Sequence, residues 1–326
     1  MTIKVAINGY GNLGQAVERA VNAAGDMEAV AVFTRRDPGS LKTAGTPVYS
    51  LSQMADFEGK VDVCICCGGS ATDLRTQGPA AVAYFNTVDS FDTHADIPAY
   101  FADMDAAAQK AGHSALISTG WDPGLFSIAR TLTGAVLPDG YTQTFWGRGV
   151  SQGHSDAIRR IEGVEGAVQY TVPNQEAMRA VESGENPQLT TADKHTRLCY
   201  VVAAPGADRD RITREIKQMP KYFADYETTV NFISAEELAR DHSGMPHGGE
   251  VIRVGHTREG IKHLVRFQLQ LDSNPDFTGS MVTASARALV RLHEHGHRGA
   301  APRLVFAVLP RTAARPAAIA SSFNSS

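Results

Sequence analysis

The sequence predicts an α/β protein with a doubly wound parallel sheet at its N-terminus and a second, α+β domain after it. Up to about residue 124, short apolar segments alternate with segments of helical periodicity, which is typical of a parallel sheet covered by helices. Further along, residues 226–232 and 265–271 alternate with period two, which favours half-exposed, largely antiparallel strands. A chain of 326 residues is long enough for two such domains.

The N-terminal half supplies the individual elements of the predicted parallel sheet. Residues 3–7 are a run of branched side chains, and residues 29–33 form a second such run. Between them, apolar residues from Leu13 to Ala24 recur at the spacing of one helix face. Further strands are predicted at 61–67, 86–89 and 114–118, and helices at 97–111 and 278–293.

These elements and their composition predict a division of the chain. We expect a dinucleotide-binding domain over residues 1–124 and a domain for substrate binding and dimerisation over 125–270. Residues 271–309 are expected to form a helix and a strand that pack back on the domains. The Ala-, Ser-, Pro- and Arg-rich residues 310–326 are expected to be a disordered tail.

Charge and hydropathy exclude several classes of function. The formal net charge is -4 and no long basic run occurs, so neither a nucleic-acid partner nor a membrane surface is indicated. The sequence has no apolar run of transmembrane length and no signal-peptide pattern at its start. We therefore expect a soluble, cytoplasmic protein.

Cysteine and histidine motifs suggest metal chemistry only superficially. Cys64 and Cys67 form a C-x-x-C pattern inside a predicted strand, where they would point to opposite faces. With Cys66 and Cys199 they are expected to be free core residues. Residues 293–297 satisfy H-E-x-x-H, but a glycine inside the motif and a fraying helix end argue against zinc catalysis. We expect no metal.

The glycine-rich turn after the first strand is the first sign of a ligand. Residues 9–14 read G-x-G-x-x-G between a strand and a helix, the context required of a dinucleotide-binding, Rossmann-type fold. Gly9 would permit the tight turn, Gly11 would admit a pyrophosphate, and Gly14 would allow close helix packing. The alternative is a purely structural turn.

The end of the second predicted strand indicates which dinucleotide is bound. NAD-specific folds usually place an acidic residue there, about 20 residues beyond the glycines. This chain has Thr34, Arg35 and Arg36 instead, and guanidinium groups bind phosphate oxygens in a two-pronged manner. We expect NADP, selected through its 2′-phosphate. The alternative is that these basic residues form a solvated loop without a ligand.

Polar or glycine-containing clusters follow three further strands, where ligands of parallel sheets bind. Asp92 and Asp122 are the candidate catalytic carboxylates there, as general base or as ammonium ligands. Asp122-Pro123 also fits the start of a helix, with Asp122 as its cap. The full predicted cofactor-binding set is Gly9, Tyr10, Gly11, Asn12, Leu13, Gly14, Thr34, Arg35, Arg36, Cys67, Gly68, Gly69, Ser70, Ser90, Phe91, Asp92, Thr119, Gly120, Trp121, Asp122 and Pro123.

Several longer motifs resemble those of the meso-diaminopimelate dehydrogenases. They are the glycine turn and residues 118–124, 144–147, 151–156, 245–249 and 274–277. The resemblance runs in order to about residue 300, and a motif such as 151–156 is far more specific than the glycine turn. One departure is Gly68, where the family is expected to carry a bulkier residue beside the nicotinamide.

The resemblance implies an NADP-dependent, reversible oxidative deamination of the D-centre of meso-2,6-diaminopimelate to tetrahydrodipicolinate and ammonia, in lysine and cell-wall precursor biosynthesis. It also implies a homodimer. By resemblance, the reacting D-centre is surrounded by Asp92, Asp122, Trp146, Gln152 and Gly153. The distal L-amino-acid end is held by Thr171, Arg197, His247 and Asn274.

Two other functions remain open at this point. A relative with another D-amino acid as substrate would share most of these motifs. A non-catalytic NADP-sensing regulator would keep the glycine turn, but the paired Asp92 and Asp122 argue against it. Ser151, His154 and Asp156 contain the residue types of a hydrolytic triad, yet such triads are usually assembled from distant parts of the chain.

Overall fold

The computed structural model describes residues 2–220 and 222–301. Within them the chain forms two compact units. The first combines the residues up to Ser127 with those from Thr278 onward, and the second is Ile128–Phe277. The sequence-based division at 124 and 270, with 271–309 kept apart, stays a prediction, and the expected tail at 310–326 lies outside the described residues.

The first unit contains a seven-stranded sheet in which every pairing is parallel. Its strands are β1 (Ile3–Asn8), β2 (Met27–Thr34), β3 (Val48–Ser50), β4 (Val63–Cys66), β5 (Asn86–Asp89), β6 (Ser114–Leu116) and β14 (Gly299–Ala301). The order β14-β6-β5-β4-β1-β2-β3 contains the order of the dinucleotide-binding fold. The predicted doubly wound sheet is therefore confirmed.

Helices cover both faces of this sheet. They are α1 (Asn12–Ala23), α2 (Leu74–Val82), α3 (Ile97–Ala111), the first residues of α4 (Leu125–Val136) and most of α10 (Asn274–Glu294). Strand residues such as Val5 and Ile7 pack with α1 and α10 in one apolar cluster. Their neighbour Ala6 belongs to a second cluster with α2 and α3. Alternation along each buried strand thus supplies both cores.

The cysteine prediction is confirmed by this packing. All four cysteines are free. Cys64 and Cys66 lie in the α2–α3 cluster, whereas Cys67 packs against the cluster on the other face. Among the described residues, no helix combines the length and apolar character that spanning a bilayer requires.

The second unit holds two smaller sheets. A four-stranded sheet has the order β11-β10-β9-β8 and a three-stranded sheet the order β13-β12-β7. The strands are β7 (Gly140–Trp146), β8 (Gly149–Val150), β9 (Val164–Pro173), β10 (His195–Ala203), β11 (Thr228–Phe232), β12 (His247–Arg258) and β13 (Ile261–Leu271). Among the described residues, only β10 and β11 pair in parallel within these sheets, so the expectation of a largely antiparallel domain is confirmed.

The helices of the second unit each cover one of these sheets. They are the later part of α4, α5 (Gln152–Arg159), α6 (Gln175–Ser183), α7 (Thr191–Lys194), α8 (Arg209–Gln218) and α9 (Ala235–Asp241). Ile158 of α5 and Ile212 of α8 pack against Val201 on the larger sheet. Val181 of α6 packs against Phe145 and Ile252 on the smaller one. Two separate apolar cores result.

Candidate active site

The glycine turn joins β1 to α1 as the sequence predicts. Gly9 has a φ of +98°, a backbone conformation that favours glycine. A Cβ at Gly14 would overlap the Gly9 carbonyl oxygen, so this glycine allows the helix to pack closely on the turn. Gly11 precedes α1, provides no capping side chain and has no atom within 4 Å of its Cβ position. The helix N-terminus is therefore accessible to a phosphate.

The end of β2 brings Thr34 and Arg36 against this turn. The Thr34 hydroxyl accepts a hydrogen bond from the Arg36 amide at 3.0 Å. The Arg36 guanidinium donates to the Tyr10 carbonyl at 2.8 Å. A cation is thereby fixed beside the glycine turn, at the position where a dinucleotide presents its adenosine ribose.

Arg35 points elsewhere. Its guanidinium lies 2.9 Å from the Asp73 carboxylate and its side chain is 74% exposed. Asp73 also accepts a hydrogen bond from the Gly69 amide at 3.1 Å. This hydrogen bond first, and the Arg35 charge with it, lower the pKa of Asp73. The two arginines that the sequence treats alike therefore have different partners.

A buried carboxylate supports the glycine turn from behind. Glu18 of α1 is 1% exposed and accepts hydrogen bonds from the Tyr10 hydroxyl, the Thr46 hydroxyl at 2.5 Å and the Ala44 amide at 3.0 Å. Burial, followed by the Glu18 contact, raises the pKa of Tyr10 to about 12. Sequence reasoning missed Glu18, since a glutamate in an amphipathic helix is ordinarily solvated.

Local packing explains why position 68 carries a glycine. Its amide donates to the Gln77 side-chain oxygen at 3.0 Å, and Gln77 donates in turn to the Asn8 side chain at 2.8 Å. A Cβ at Gly68 would come within 2.6 Å of the Asp73 Cβ. In this chain the close approach of Gln77 and Asp73 thus leaves no room for a side chain at position 68.

The Asp89 carboxylate is hydrogen-bonded to both chain segments that lead to the candidate catalytic acids. Asp89, at the end of β5, is 1% exposed. It accepts hydrogen bonds from the Tyr100 hydroxyl at 2.7 Å and from the amides of Phe91 and Ser118 at 3.0 Å each. Its own carbonyl accepts from the Thr119 amide at 2.9 Å. The strand ends leading to Asp92 and Asp122 therefore share one anchor.

The loops beyond these strand ends are tightly folded. The Asp92 amide donates to the Ser70 hydroxyl at 3.0 Å, which links the loops after β4 and β5. The Phe126 amide donates to the Trp121 carbonyl at 2.8 Å. Helix α4 begins only at Leu125, so the interpretation of Asp122 as the cap of that helix is wrong.

In the second unit, Thr171 and Arg197 lie directly opposite each other on β9 and β10. The Arg197 guanidinium donates to the Thr171 hydroxyl at 2.6 Å. Arg197 is 7% exposed, and its Nε has no hydrogen-bond partner in the described part of the chain. Desolvation by burial lowers the pKa of this guanidinium. A buried cation of this kind favours an anionic ligand.

The strands β7 and β12 carry further predicted residues to the same end of this unit. Gly149 pairs with Thr171, and a Cβ at Gly149 would overlap the His247 ring. The Gly248 amide donates to His247 Nδ1 at 2.8 Å, and burial lowers the pKa of His247. Trp146 pairs with Gly249 on the next strand.

Trp146 is held by a histidine that sequence reasoning missed. The Trp146 amide donates to His195 Nε2 at 2.7 Å, and the two rings stack with centroids 5.1 Å apart. Burial lowers the pKa of His195 to about 4. Alternation along β10 was the available signal, because it places His195 on the same strand face as Arg197.

Gln152 and Asn274 meet at Met245. The Gln152 side-chain amide lies 2.8 Å from the Met245 sulfur, and the Asn274 amide donates to the Met245 carbonyl at 3.0 Å. Gly153 follows Gln152 in the first turn of α5, with no atom within 4 Å of its Cβ position. All seven predicted binding residues of the second unit thus lie on neighbouring strand and helix ends.

Residues 151–156 do not form a hydrolytic triad. The Ser151 hydroxyl contacts His154 Nδ1, but Asp156 pairs with Arg159. The histidine therefore has no carboxylate from this motif to orient it. Similarly, α10 ends at Glu294, and Gly296 has a φ of +94°, so the H-E-x-x-H motif does not lie on one helical face.

Comparison with known proteins agrees with this geometry. Residues 120–273 match the family "Diaminopimelic acid dehydrogenase C-terminal domain". The chain is 56% identical to meso-diaminopimelate D-dehydrogenase of Ureibacillus thermosphaericus, over 91% of this chain and 92% of that protein.

Two solved structures share the fold. Diaminopimelate dehydrogenase of C. glutamicum in complex with DAP is 47% identical, with a TM-score of 0.86 and 94% of each chain covered. An engineered D-amino acid dehydrogenase bound to NADP+ is 45% identical, with a TM-score of 0.82 and the same coverage.

A parallel sheet of this order, with a glycine turn after its first strand, defines the class of dinucleotide-dependent dehydrogenases. In the second unit, the nearly buried guanidinium of Arg197 favours a ligand that carries an anionic group. The identity to its relatives extends over nine-tenths of the chain. The chain belongs to the meso-diaminopimelate D-dehydrogenase family.

Proposed function

We propose that this protein catalyses the NADP-dependent, reversible oxidative deamination of meso-2,6-diaminopimelate at its D-centre. The D-centre loses a hydride and its amino group, water enters at the same carbon, and ammonia leaves. The remaining L-amine then closes the ring to tetrahydrodipicolinate with loss of water. Family membership supports this reaction, and the buried Arg197 is the observation in this chain that carries it.

Arg197 supports a substrate with a second carboxylate far from the reacting centre. Its guanidinium is nearly buried, donates to Thr171 and keeps Nε without a protein acceptor among the described residues. Leaving a charge in this state is costly, but a carboxylate ligand would compensate it with charge-assisted hydrogen bonds. We assign the distal L-centre carboxylate to Arg197 and Thr171. We assign the remaining contacts of the distal end to His247 and Asn274.

Acids and an aromatic ring are assigned to the reacting centre. Asp92 and Asp122 follow strands whose ends are anchored by one carboxylate, Asp89. Either acid can bind the D-centre ammonium, accept its proton and activate the incoming water. Trp146, fixed by its amide and ring contacts, would orient the carbon skeleton, with Gln152 and Gly153 beside it.

The residues of the first unit fit NADP. Gly11 leaves room beside the N-terminus of α1 for a pyrophosphate, and Arg36 lies against the turn at the ribose position. Arg36, Thr34 and Arg35 would hold the 2′-phosphate. When bound, the nicotinamide supplies the hydride acceptor, while the protein supplies orientation and charge.

Oxidation of another D-amino acid is the second candidate. The similar engineered enzyme acts on D-amino acids, as its name states. A monocarboxylic substrate would leave the Arg197 guanidinium without a carboxylate, so the dicarboxylate is favoured here. We further propose a cytoplasmic homodimer that serves lysine and cell-wall precursor biosynthesis.

Absorbance at 340 nm tests the proposal directly. The purified protein is given NADP or NAD with the meso, LL and DD isomers of diaminopimelate, and with simple D-amino acids. We expect reduction of NADP with the meso isomer and little with LL. Preferential turnover of simple D-amino acids would establish the second candidate instead, and NADP binding without turnover would indicate a sensor.

The same assay is repeated with the Arg197→Met variant. It keeps a long apolar stem while removing the cation, so KM for the meso isomer should rise about 100-fold or more, as expected for loss of a desolvated charge contact. Affinity for NADP should be unchanged. Kinetic constants near those of the unmodified enzyme would contradict the assigned substrate orientation.

A further inference from the structure

The Arg197 guanidinium rests on an aromatic ring that neither the family motifs nor the assigned site include. Its Cζ lies 3.8 Å from the centroid of the Tyr226 ring. The adjoining backbone is held to the same strand, because the Arg197 amide donates to the Glu227 carbonyl at 2.8 Å and Arg197 pairs with Thr228. Ring and guanidinium are therefore fixed relative to each other by the pairing of β10 with β11.

An aromatic ring and a carboxylate stabilise a neighbouring cation in different ways. The ring quadrupole attracts the guanidinium and orients its plane without neutralising its charge. A carboxylate in the same place would occupy the donor edge and cancel the charge. Arginine retains its proton even when buried, and contact with Tyr226 opposes the lowering of its pKa by burial.

Tyr226 lies beside Arg197 and is not a member of the apolar cluster described for this sheet. Its side chain is partly exposed. In the described part of the chain it lies outside the apolar cluster formed by neighbours such as Phe223, Val230 and Phe232. The Tyr226 ring contacts the Arg197 guanidinium.

We infer that Tyr226 is a positioning residue for substrate binding. It presents the Arg197 guanidinium, with Thr171 on one nitrogen and Nε left for the ligand, to the distal carboxylate of the substrate. This inference rests on the proposed function for the identity of that carboxylate. Tyr226 thereby contributes to the choice of a dicarboxylic over a monocarboxylic amino acid, without touching the reacting centre.

The test removes the aromatic ring while keeping an apolar side chain at position 226. Tyr226→Leu and Tyr226→Met remove the aromatic face, and Tyr226→Phe keeps it. Both non-aromatic variants should raise KM for meso-diaminopimelate about 10-fold, as expected for loss of a desolvated cation–π contact. Their kcat and their Kd for NADP should stay within about twofold of the unmodified enzyme. Tyr226→Phe should restore KM to near the original value.

Calorimetric titration of diaminopimelate into the enzyme–NADPH complex separates this inference from the proposed function. If the unmodified enzyme binds the compound but does not oxidise it, the proposed function fails while the Tyr226 comparison still stands. Equal affinity in the Leu, Met and Phe variants would overturn the inference. So would a loss shared by kcat and NADP affinity, because a structural defect would act on all three. The Leu and Met variants are independent, so misfolding of one leaves the other decisive.

Discussion

At the scale of single residues, the two neighbouring arginines at the end of β2 have unequal roles. Arg36 is held at the glycine turn by the Tyr10 carbonyl. Arg35 is largely exposed and paired with Asp73. An exposed ion pair contributes little to orientation, so most of the selectivity for a 2′-phosphate should depend on Arg36.

Alanine substitutions test this difference. Arg36→Ala should lower the NADP/NAD ratio of kcat/KM by about 10- to 100-fold, since one charge-assisted hydrogen bond contributes roughly 1.5–3 kcal/mol. Arg35→Ala should lower it less than about 10-fold. Lys110→Ala, at an exposed position in the last turn of α3, serves as the control for a lost cation. An unchanged ratio in Arg36→Ala would remove the proposed basis for NADP selection.

Some of the site residues could be predicted singly, and others could not. Thr34 and Arg36 could be predicted because residues at the end of the second strand of a dinucleotide-binding fold lie beside the adenosine ribose. Tyr226 and Glu18 carry no such mark, and His195 is indicated only by the alternation along β10. They act through residues distant in sequence, and their contacts exist only once the strands and helices have paired.

At the scale of elements, periodicity was sufficient where segments were long and well bounded. The helix predicted at 97–111 coincides with α3, and the predicted strand at 86–89 coincides with β5. The three-residue strand β3 was missed, because so short a segment carries no period. Period two also could not show that the later strands belong to two separate sheets, since both present the same alternation.

Strand β13 has an exposed apolar face that supports the proposed homodimer. Val265 is 36% exposed, and Leu269 on the same face is partly exposed. Helix α4 packs near the other edge of this sheet through a hydrogen bond from Arg130 to Thr144 of β7. On that helix Leu132 is 62% exposed. Exposed apolar side chains such as these are common at protein interfaces.

Light scattering with size-exclusion chromatography tests this face. The unmodified protein should have twice the mass of the 34.9 kDa chain. Val265→Glu and Leu132→Glu should shift it to the single-chain mass at micromolar concentration, because a buried unpaired charge opposes association. Leu264→Glu, on the opposite face of β13, is the matched control and should remain dimeric. Single-chain mass for the unmodified protein would contradict the dimer.

At the scale of the whole molecule, the sequence could predict the fold class but not the pairings that assemble the substrate-binding residues. Thr171 meets Arg197 through the register of β9 and β10. Gly149 meets His247 through the close approach of two strands. Such long-range register depends on competition among many alternating strands, which local pattern cannot resolve. The family resemblance supplied the residues, and only the structure supplied their contacts.

Two histidines of the second unit, the buried His195 and the partly buried His154, predict how stability depends on pH. Burial lowers the pKa of both His154 and His195 to about 4, whereas an unfolded histidine titrates near 6.5. Between these values the unfolded chain binds more protons than the folded one. The stabilisation is therefore complete above about pH 6.5 and is lost as the pH falls toward 4.

Urea unfolding monitored by tryptophan fluorescence, at intervals from pH 7.0 to 5.0, measures this dependence. In the middle of the window the free energy of unfolding should fall by about 2–3 kcal/mol per pH unit, since each histidine contributes up to about 1.4. His195→Asn should reduce the slope, although the Trp146 contact it removes will lower stability at every pH. His256→Asn, at an exposed position, should leave the slope unchanged. A flat profile for the unmodified protein down to pH 5.0 would show that neither ring is held neutral by the fold.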